Sequence, residues 1–169
     1  MPPLKLLREE HTVGKFHSSH VEALTLPGLP STYIERASSR WSRSFIMKRI
    51  LLVDDHAMAR QAMKLFLEHH GYVCDEAEHG AAALAWLEQG QNVDLIVSDN
   101  HMPVMTGIEF LVQVKARAPF SSIPFMLYSG NITDELQRQA YQLGAMTVLH
   151  KPCKLSDFMV IVAQALETP

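Results

Sequence analysis

The sequence predicts an α/β fold in which five parallel strands form a doubly wound sheet with helices on both faces. Two observations carry this. Ile50-Leu51-Leu52-Val53, Leu95-Ile96-Val97, Phe125-Met126-Leu127-Tyr128 and Val148-Leu149 are short, almost continuously apolar runs, the pattern of strands buried on both faces of a parallel sheet. Between them lie stretches of helical periodicity that stop at glycine or proline, so strand and helix alternate from Met47 onward.

The first strand spans about 49–53. The first helix runs from Ala57 to His70 and ends at Gly71, with Ala62, Leu65, Phe66 and His69 at helical spacing as its sheet-packing face. The second strand lies near 72–76, and the second helix near 80–89 is stopped by Gly90. The third strand is about 94–98, followed by a helix near 107–117 that closes before Pro119. The fourth strand covers 123–128; its helix, about 133–143, takes Thr133 as N-cap and Gly144 as stop. The fifth strand lies near 146–149, and the last helix covers about 155–167, with Lys154 or Ser156 at its start.

Strands of a parallel sheet point the same way, so the residues that follow them converge at one edge. Asp54 and Asp55 follow the first strand, Asp99 the third, Ser129 the fourth and Lys151 the fifth. Ionised carboxylates in one crevice repel: two unit charges about 4 Å apart cost about 4 kcal/mol at an effective dielectric near 20. Such a cluster needs protons or a cation, and oxygen-only ligands favour Mg²⁺ or Mn²⁺ over zinc. A carboxylate can be the nucleophile that forms an aspartyl phosphate, while a lysine and a hydroxyl donate to the outer oxygens of the transferred group. The set reads as a Mg²⁺-assisted phosphoryl acceptor.

Asp54-Asp55, then Asp99-Asn100-His101-Met102-Pro103 with Gly107, then Ser129, then Lys151-Pro152, resembles the receiver domain of bacterial response regulators, as in stand-alone CheY-like members of two-component phosphorelays. The resemblance runs from about Met47 to Leu166. It implies a flavodoxin-like sheet of strand order 2-1-3-4-5. It also implies that Asp99 is the phosphorylated residue and that Asp54, Asp55, Asp99 and the backbone carbonyl of His101 hold Mg²⁺ or Mn²⁺. Ser129 would bond the phosphoryl group and sense its arrival, Lys151 would pair with another of its oxygens, and the Lys151-Pro152 bond would be cis. The phosphate donor would be a sensor histidine kinase or a histidine phosphotransfer protein. Phosphorylation would reshape the face formed by the fourth helix, fifth strand and fifth helix, and a protein effector would read it.

Two positions depart from the family pattern. Three residues before the lysine the family usually has an aromatic side chain that turns inward with the hydroxyl residue; this chain has Val148, which has little room for such a swing. Two residues after the acceptor stands His101, at a position that influences hydrolysis of the aspartyl phosphate.

Composition bounds the rest. The chain has 169 residues, 47% hydrophobic and 20% charged, enough for one globular domain with some excess. Residues 1–46 carry six Lys/Arg against four Asp/Glu, whereas the remainder carries nine against fourteen. The receiver-like part is therefore acidic, which argues against nucleic-acid binding. Cys74 and Cys153 are too few for a disulfide framework and suit a reducing cytoplasm. No signal peptide or membrane-spanning run is evident.

Residues 1–46, broken by Pro2, Pro3, Pro27 and Pro30, read as a disordered extension, or as upstream sequence from a start placed too early, with the receiver domain over 47–169. The alternative is a short docking segment using Phe16, Tyr33, Trp41 and Phe45. Only Glu167-Thr168-Pro169 follow the last helix, so the expectation is that no DNA-binding or catalytic output domain is attached.

The remaining motifs are read plainly. The nine histidines lack metal-ligand spacing; His56 is read as a loop residue at the crevice mouth and His150 as exposed. Gly71, Gly80 and Gly90 form no phosphate loop, and Ser129-Gly130 lacks the glycine that a nucleophile elbow needs. Two rival functions stand beside the receiver: a Mg²⁺-dependent phosphohydrolase with His101 as acid-base, and an interaction module indifferent to phosphorylation, to which Val148 lends support.

Overall fold

The computed structural model describes residues 47–167; the readings of residues 1–46 lie outside the described residues. Ten elements alternate: β1 (Arg49–Val53), α1 (Ala57–His69), β2 (Val73–Ala77), α2 (Gly80–Glu88), β3 (Leu95–Ser98), α3 (Gly107–Lys115), β4 (Phe125–Ser129), α4 (Asp134–Gln142), β5 (Thr147–His150) and α5 (Leu155–Glu167). The strands form one sheet in the order β2-β1-β3-β4-β5, and every neighbouring pair is parallel. Among the described residues no helix is long and apolar enough to cross a membrane.

The alternation follows from local chemistry. Thr133 caps α4 by accepting from the Leu136 amide at 3.1 Å. Thr106 and Glu109 form a reciprocal capping box at the start of α3, and the two Thr106 donors hold the exposed Glu109 carboxyl below its ordinary range. Gly71, Gly90 and Gly144 leave α1, α2 and α4 at φ +87, +81 and +94, where a Cβ would be strained.

Two cores flank the sheet. On one face α2, α3 and α4 bury Leu84, Leu87, Phe110, Leu111, Val114 and Ala140 against Leu51, Ile96, Phe125 and Leu127. On the other, α1 and α5 bury Leu67, Phe158, Val162 and Ala165 against Ile50, Leu52, Leu95, Val97 and Met126. Burial on both faces holds for β1 and β3, which are buried along almost their whole length.

Three sequence expectations are corrected. First, β5 is only half-buried, ending on an exposed His150, because it lies at the sheet edge and has a neighbour on one side only. Second, Ser129 does not follow the fourth strand but closes it: β4 starts two residues late and extends one further, paired Ser129↔His150 with β5. Third, α1 packs through Met63, Phe66 and Leu67, while Leu65, 59% exposed, and Met58, 89% exposed, face outward with Ala62 and His69. Of the expected face Phe66 packs inward as read; the helix carries two apolar stripes that share it, and periodicity alone does not tell which of the two turns to the sheet.

Glu76 on β2 ties α1 to the sheet, accepting from Lys64 Nζ at 2.8 Å and Arg60 Nε at 3.2 Å. The hydrogen bond and charge of Lys64, then those of Arg60, hold the Glu76 carboxyl below its ordinary range against partial desolvation. A depressed folded pKa stabilises above the unfolded value, about 4.3, and that stabilisation is lost as pH falls through the folded one. Glu76→Gln therefore costs less than about 1 kcal/mol at pH 7. Below pH 4 the parent and the variant converge, as urea midpoints at pH 7 and 3 will show. Val104 is a second test of the fold: it holds φ +66 while 80% exposed, a left-handed conformation that a β-branched residue adopts at a cost of about 1–2 kcal/mol. Val104→Gly relieves that strain but adds about 0.4–1 kcal/mol of unfolded-chain entropy cost, so it stabilises by at most about 1 kcal/mol, read as a higher urea midpoint with an unchanged slope.

Candidate functional site

Hydrogen bonds that continue the ladder one residue past the strands bring the site residues together. The Asp54 amide donates to Ala77 O at 3.2 Å, the Asp99 amide to Val53 O at 2.7 Å, and the Lys151 amide to Ser129 O at 2.8 Å. Each residue just beyond a strand is thus fastened to the last residue of a neighbouring strand. Asp54, Asp99 and Lys151 arrive at one edge by main-chain geometry, before any side-chain attraction acts.

Side chains then close the cluster. Lys151 Nζ donates to Asp54 Oδ2 at 2.5 Å and stands 3.4 Å from Asp99 Oδ1. Both acids also accept the main-chain amide two residues on: Asp54 Oδ1 from His56 at 2.8 Å and Asp99 Oδ2 from His101 at 3.1 Å. Asp54 and Asp99 are buried to 8% exposure each, whereas Asp55 is exposed at the rim. Three carboxylates against one ammonium leave an excess negative charge that a divalent cation would offset. Ligand atoms of Asp54, Asp55 and His56 lie within 4.8 Å of one another; the two carboxylate oxygens suit a hard ion, and the His56 imidazole nitrogen does not.

A recess of about 380 Å³ opens over this cluster, lined by Asp54, His56, Asp99, His101, Ser129 and Lys151 among others. Ser129 is fully buried, and its Oγ has no hydrogen-bond partner, alone in this among buried side-chain N/O atoms of the described residues. An unpaired buried hydroxyl costs about 1–3 kcal/mol. A hydroxyl facing a recess can recover that cost by donating to an oxygen that enters.

The loop from Asp99 to α3 is held from inside. The Asn100 carbonyl accepts from the Met102 amide at 3.2 Å and the Gly107 amide at 3.1 Å, and its side-chain oxygen accepts from the Ile108 amide at 3.1 Å. A Cβ on Gly107 would stand 2.2 Å from the Asp99 carbonyl oxygen and 2.9 Å from Asn100 Cα. Glycine here permits the close approach that seats Asp99.

The structure brings Asp54, Asp55, Asp99, Ser129 and Lys151 to one edge. His101 lies exposed at the mouth, and the Lys151-Pro152 bond is cis. His56, read as a loop residue, lies with Nδ1 3.0 Å from Asp55 Oδ1 and lines the recess. Val148 packs, half-buried, on the α2–α3–α4 core rather than beside Lys151. Sequence reasoning missed Tyr128, whose ring centroid lies 5.1 Å from Lys151 Nζ. The available signal was the position itself: alternation along β4 sends residue 128 to the sheet face opposite Leu127.

A family profile described as the response regulator receiver domain matches residues 50–163. A two-component response regulator of Oryza sativa subsp. japonica is 32% identical over 108 residues, covering 64% of this chain and 89% of that protein. The crystal structure of chemotaxis protein CheY4 of Vibrio cholerae superposes with TM-score 0.66 at 31% identity, covering 71% of this chain and 99% of that one. The signal receiver domain of a signal transduction histidine kinase from Syntrophus aciditrophicus superposes with TM-score 0.66 at 27% identity, covering 72% and 95%.

The close approach at residue 107 predicts that Gly107→Ala destabilises the fold by about 2–3 kcal/mol, because the obstructing atom is backbone and cannot rotate away. Urea unfolding measures this. Gly130→Ala, where a Cβ meets nothing within 4 Å, is the control and leaves stability within about 0.5 kcal/mol.

Proposed function

The chain belongs to the response regulator receiver family, and from that premise we propose that Asp99 is its phosphoacceptor. The donor is a phosphohistidine on a sensor histidine kinase or a histidine phosphotransfer protein, and the phosphorylated form is read by a protein effector. The observation that carries this reading is the buried, unpartnered Ser129 hydroxyl in the same recess as Asp99 and Lys151. It is a donor without an acceptor in a recess that Asp54 and Asp99 both line, each holding the Lys151 ammonium and a main-chain amide.

An Asp99 oxygen attacks phosphorus as the phosphorus–nitrogen bond to the donor histidine breaks, and the departing imidazole keeps the electron pair and gains a proton. Lys151 offsets the negative charge carried into the site, and Ser129 donates to a phosphoryl oxygen. Mg²⁺ or Mn²⁺, held by Asp54, Asp55, Asp99 and the His101 carbonyl, would neutralise the equatorial oxygens. The His101 amide on Asp99 Oδ2 fixes the orientation of the attacking carboxylate. Ser129 drawn toward the phosphoryl group displaces the end of β4, which pairs with β5, and that displacement is what an effector detects. The compartment proposed is the reducing cytoplasm, on the cysteine count of the sequence alone.

A second reading rests on Val148: with no aromatic ring at that position, the chain could bind its partner without regard to phosphate. Intact-protein mass after incubation with acetyl phosphate and Mg²⁺ separates the two. The expected result is one added phosphoryl group on the parent, none on Asp99→Ala, and none on the parent after chelation. No adduct on the parent with Mg²⁺ binding demonstrated sinks the phosphoacceptor reading. Rapid multiple turnover of small phosphoesters would instead establish a phosphohydrolase.

A further inference from the structure

Lys151 has a third neighbour besides its two carboxylates. Its Nζ lies 5.1 Å from the centroid of the Tyr128 ring, within the range of a cation–π contact. The ring is itself held on two further sides. It packs against Phe158 of α5, centroid to centroid 5.2 Å at 50°, and its hydroxyl oxygen faces the Cys153 thiol at 3.7 Å. Partial burial, then the Cys153 contact, pushes the Tyr128 phenol up to about 12, so the ring stays neutral and electron-rich near neutral pH.

We propose that Tyr128 is a positioning residue for phosphoryl transfer: its ring face holds the Lys151 ammonium over Asp54 and Asp99 through the transfer and gives it up once the phosphoryl group is in place. The proposal rests on the phosphoacceptor reading above. A lysine stem turns through several single bonds, and two carboxylates alone set the distance of its ammonium without setting its direction. The ring supplies a third point of contact. A cavity of about 370 Å³ lies beside it and reaches the site carboxylates, lined by Asp54, Met63, Asp99, Tyr128, Lys151 and Pro152 among others. Once Lys151 turns to a phosphoryl oxygen, the ring has space to follow or relax into that cavity. Tyr128 would then pass the change to Phe158, on the α1–α5 side of the sheet and opposite the core that holds Val148.

The test uses the full chain with lysine labelled by ¹³C at Cε, alongside initial rates of adduct formation from acetyl phosphate and Mg²⁺. Tyr128→Phe keeps the ring face; Tyr128→Leu keeps an apolar side chain and removes it. In the parent, the Lys151 Cε methylene, assigned by its loss in Lys151→Arg, is expected upfield of the other lysines because of the ring current. It keeps that shift in Tyr128→Phe, loses it in Tyr128→Leu, and moves toward the ordinary position when acetyl phosphate and Mg²⁺ are added. Adduct formation stays within about twofold in Tyr128→Phe and slows roughly fivefold in Tyr128→Leu, because an ammonium no longer held in direction meets the incoming phosphoryl group less often. A Lys151 methylene at the ordinary lysine position in the parent overturns the proposal, and so does an unchanged rate in Tyr128→Leu. Should Tyr128→Leu fail to fold, the parent shift, its retention in Tyr128→Phe and its displacement by acetyl phosphate decide the matter. If the parent forms no adduct while the ring-current shift is present, the phosphoacceptor reading fails and the ring contact stands by itself.

Discussion

The Lys151 ammonium between the carboxylates of Asp54 and Asp99 is the interaction on which the rest of the site depends. Without a cation there, two largely buried acids would face each other at a cost of several kcal/mol in a medium of intermediate dielectric. That repulsion is tolerated because the main chain leaves little choice. The amides of Asp54, Asp99 and Lys151 are bonded to strand-end carbonyls, so the charged side chains are delivered to one edge by the sheet itself. Fold and chemistry are in this sense one problem: the order β2-β1-β3-β4-β5 puts the ends of β1 and β3 side by side at the middle of the edge. Lys151 reaches them from the outermost strand, across the end of β4.

The same edge shows how rigidity and strain are distributed around Asp99. On its downstream side Asn100 closes the loop onto α3 with both its carbonyl and its side chain, and Gly107 lets the helix start against the Asp99 carbonyl. The Asp99 carboxylate therefore sits on a short, internally bonded segment, as its proposed role as a nucleophile meeting phosphorus in line requires. Val104 lies at the exposed crest of that segment in a left-handed conformation. Its strain is local and borne by the closed loop on either side, which keeps it from displacing Asp99.

Much of this was legible in the sequence, for identifiable reasons. Strand and helix order could be read because buried parallel strands are short apolar runs and because Gly71, Gly90 and Gly144 mark helix ends whose backbone needs a positive φ. Asp54, Asp55, Asp99 and Lys151 could be read because a residue that follows a parallel strand has its position fixed by topology alone. What resisted reading depends on orientation. Which of the two apolar stripes of α1 turns inward is set by contacts with β1 and α5 that are remote in sequence, so Leu65 was placed inside and is outside. The half-burial of β5 follows from its edge position, which Val148-Leu149 cannot signal. Tyr128 looked like one more core aromatic, since nothing local reveals that the lysine 23 residues later returns to lie over its ring.

Val148 and Tyr128 together bear on how such a site reports its state. Both lie near the carboxyl ends of adjacent strands, but Val148 belongs to the core under α2, α3 and α4, and Tyr128 to the core under α1 and α5. A small β-branched side chain on the first face has one preferred rotamer and little volume to move. On the second face stands an aromatic ring that touches the ammonium at the centre of the site, a phenylalanine on α5 and an adjoining cavity. A packed core passes on a displacement only where a side chain has two places to be. On that criterion the α1–α5 face offers the more responsive route from the acceptor to the surface. Under the proposed phosphoacceptor role, the change would reach a partner through α5 as well as through the paired ends of β4 and β5.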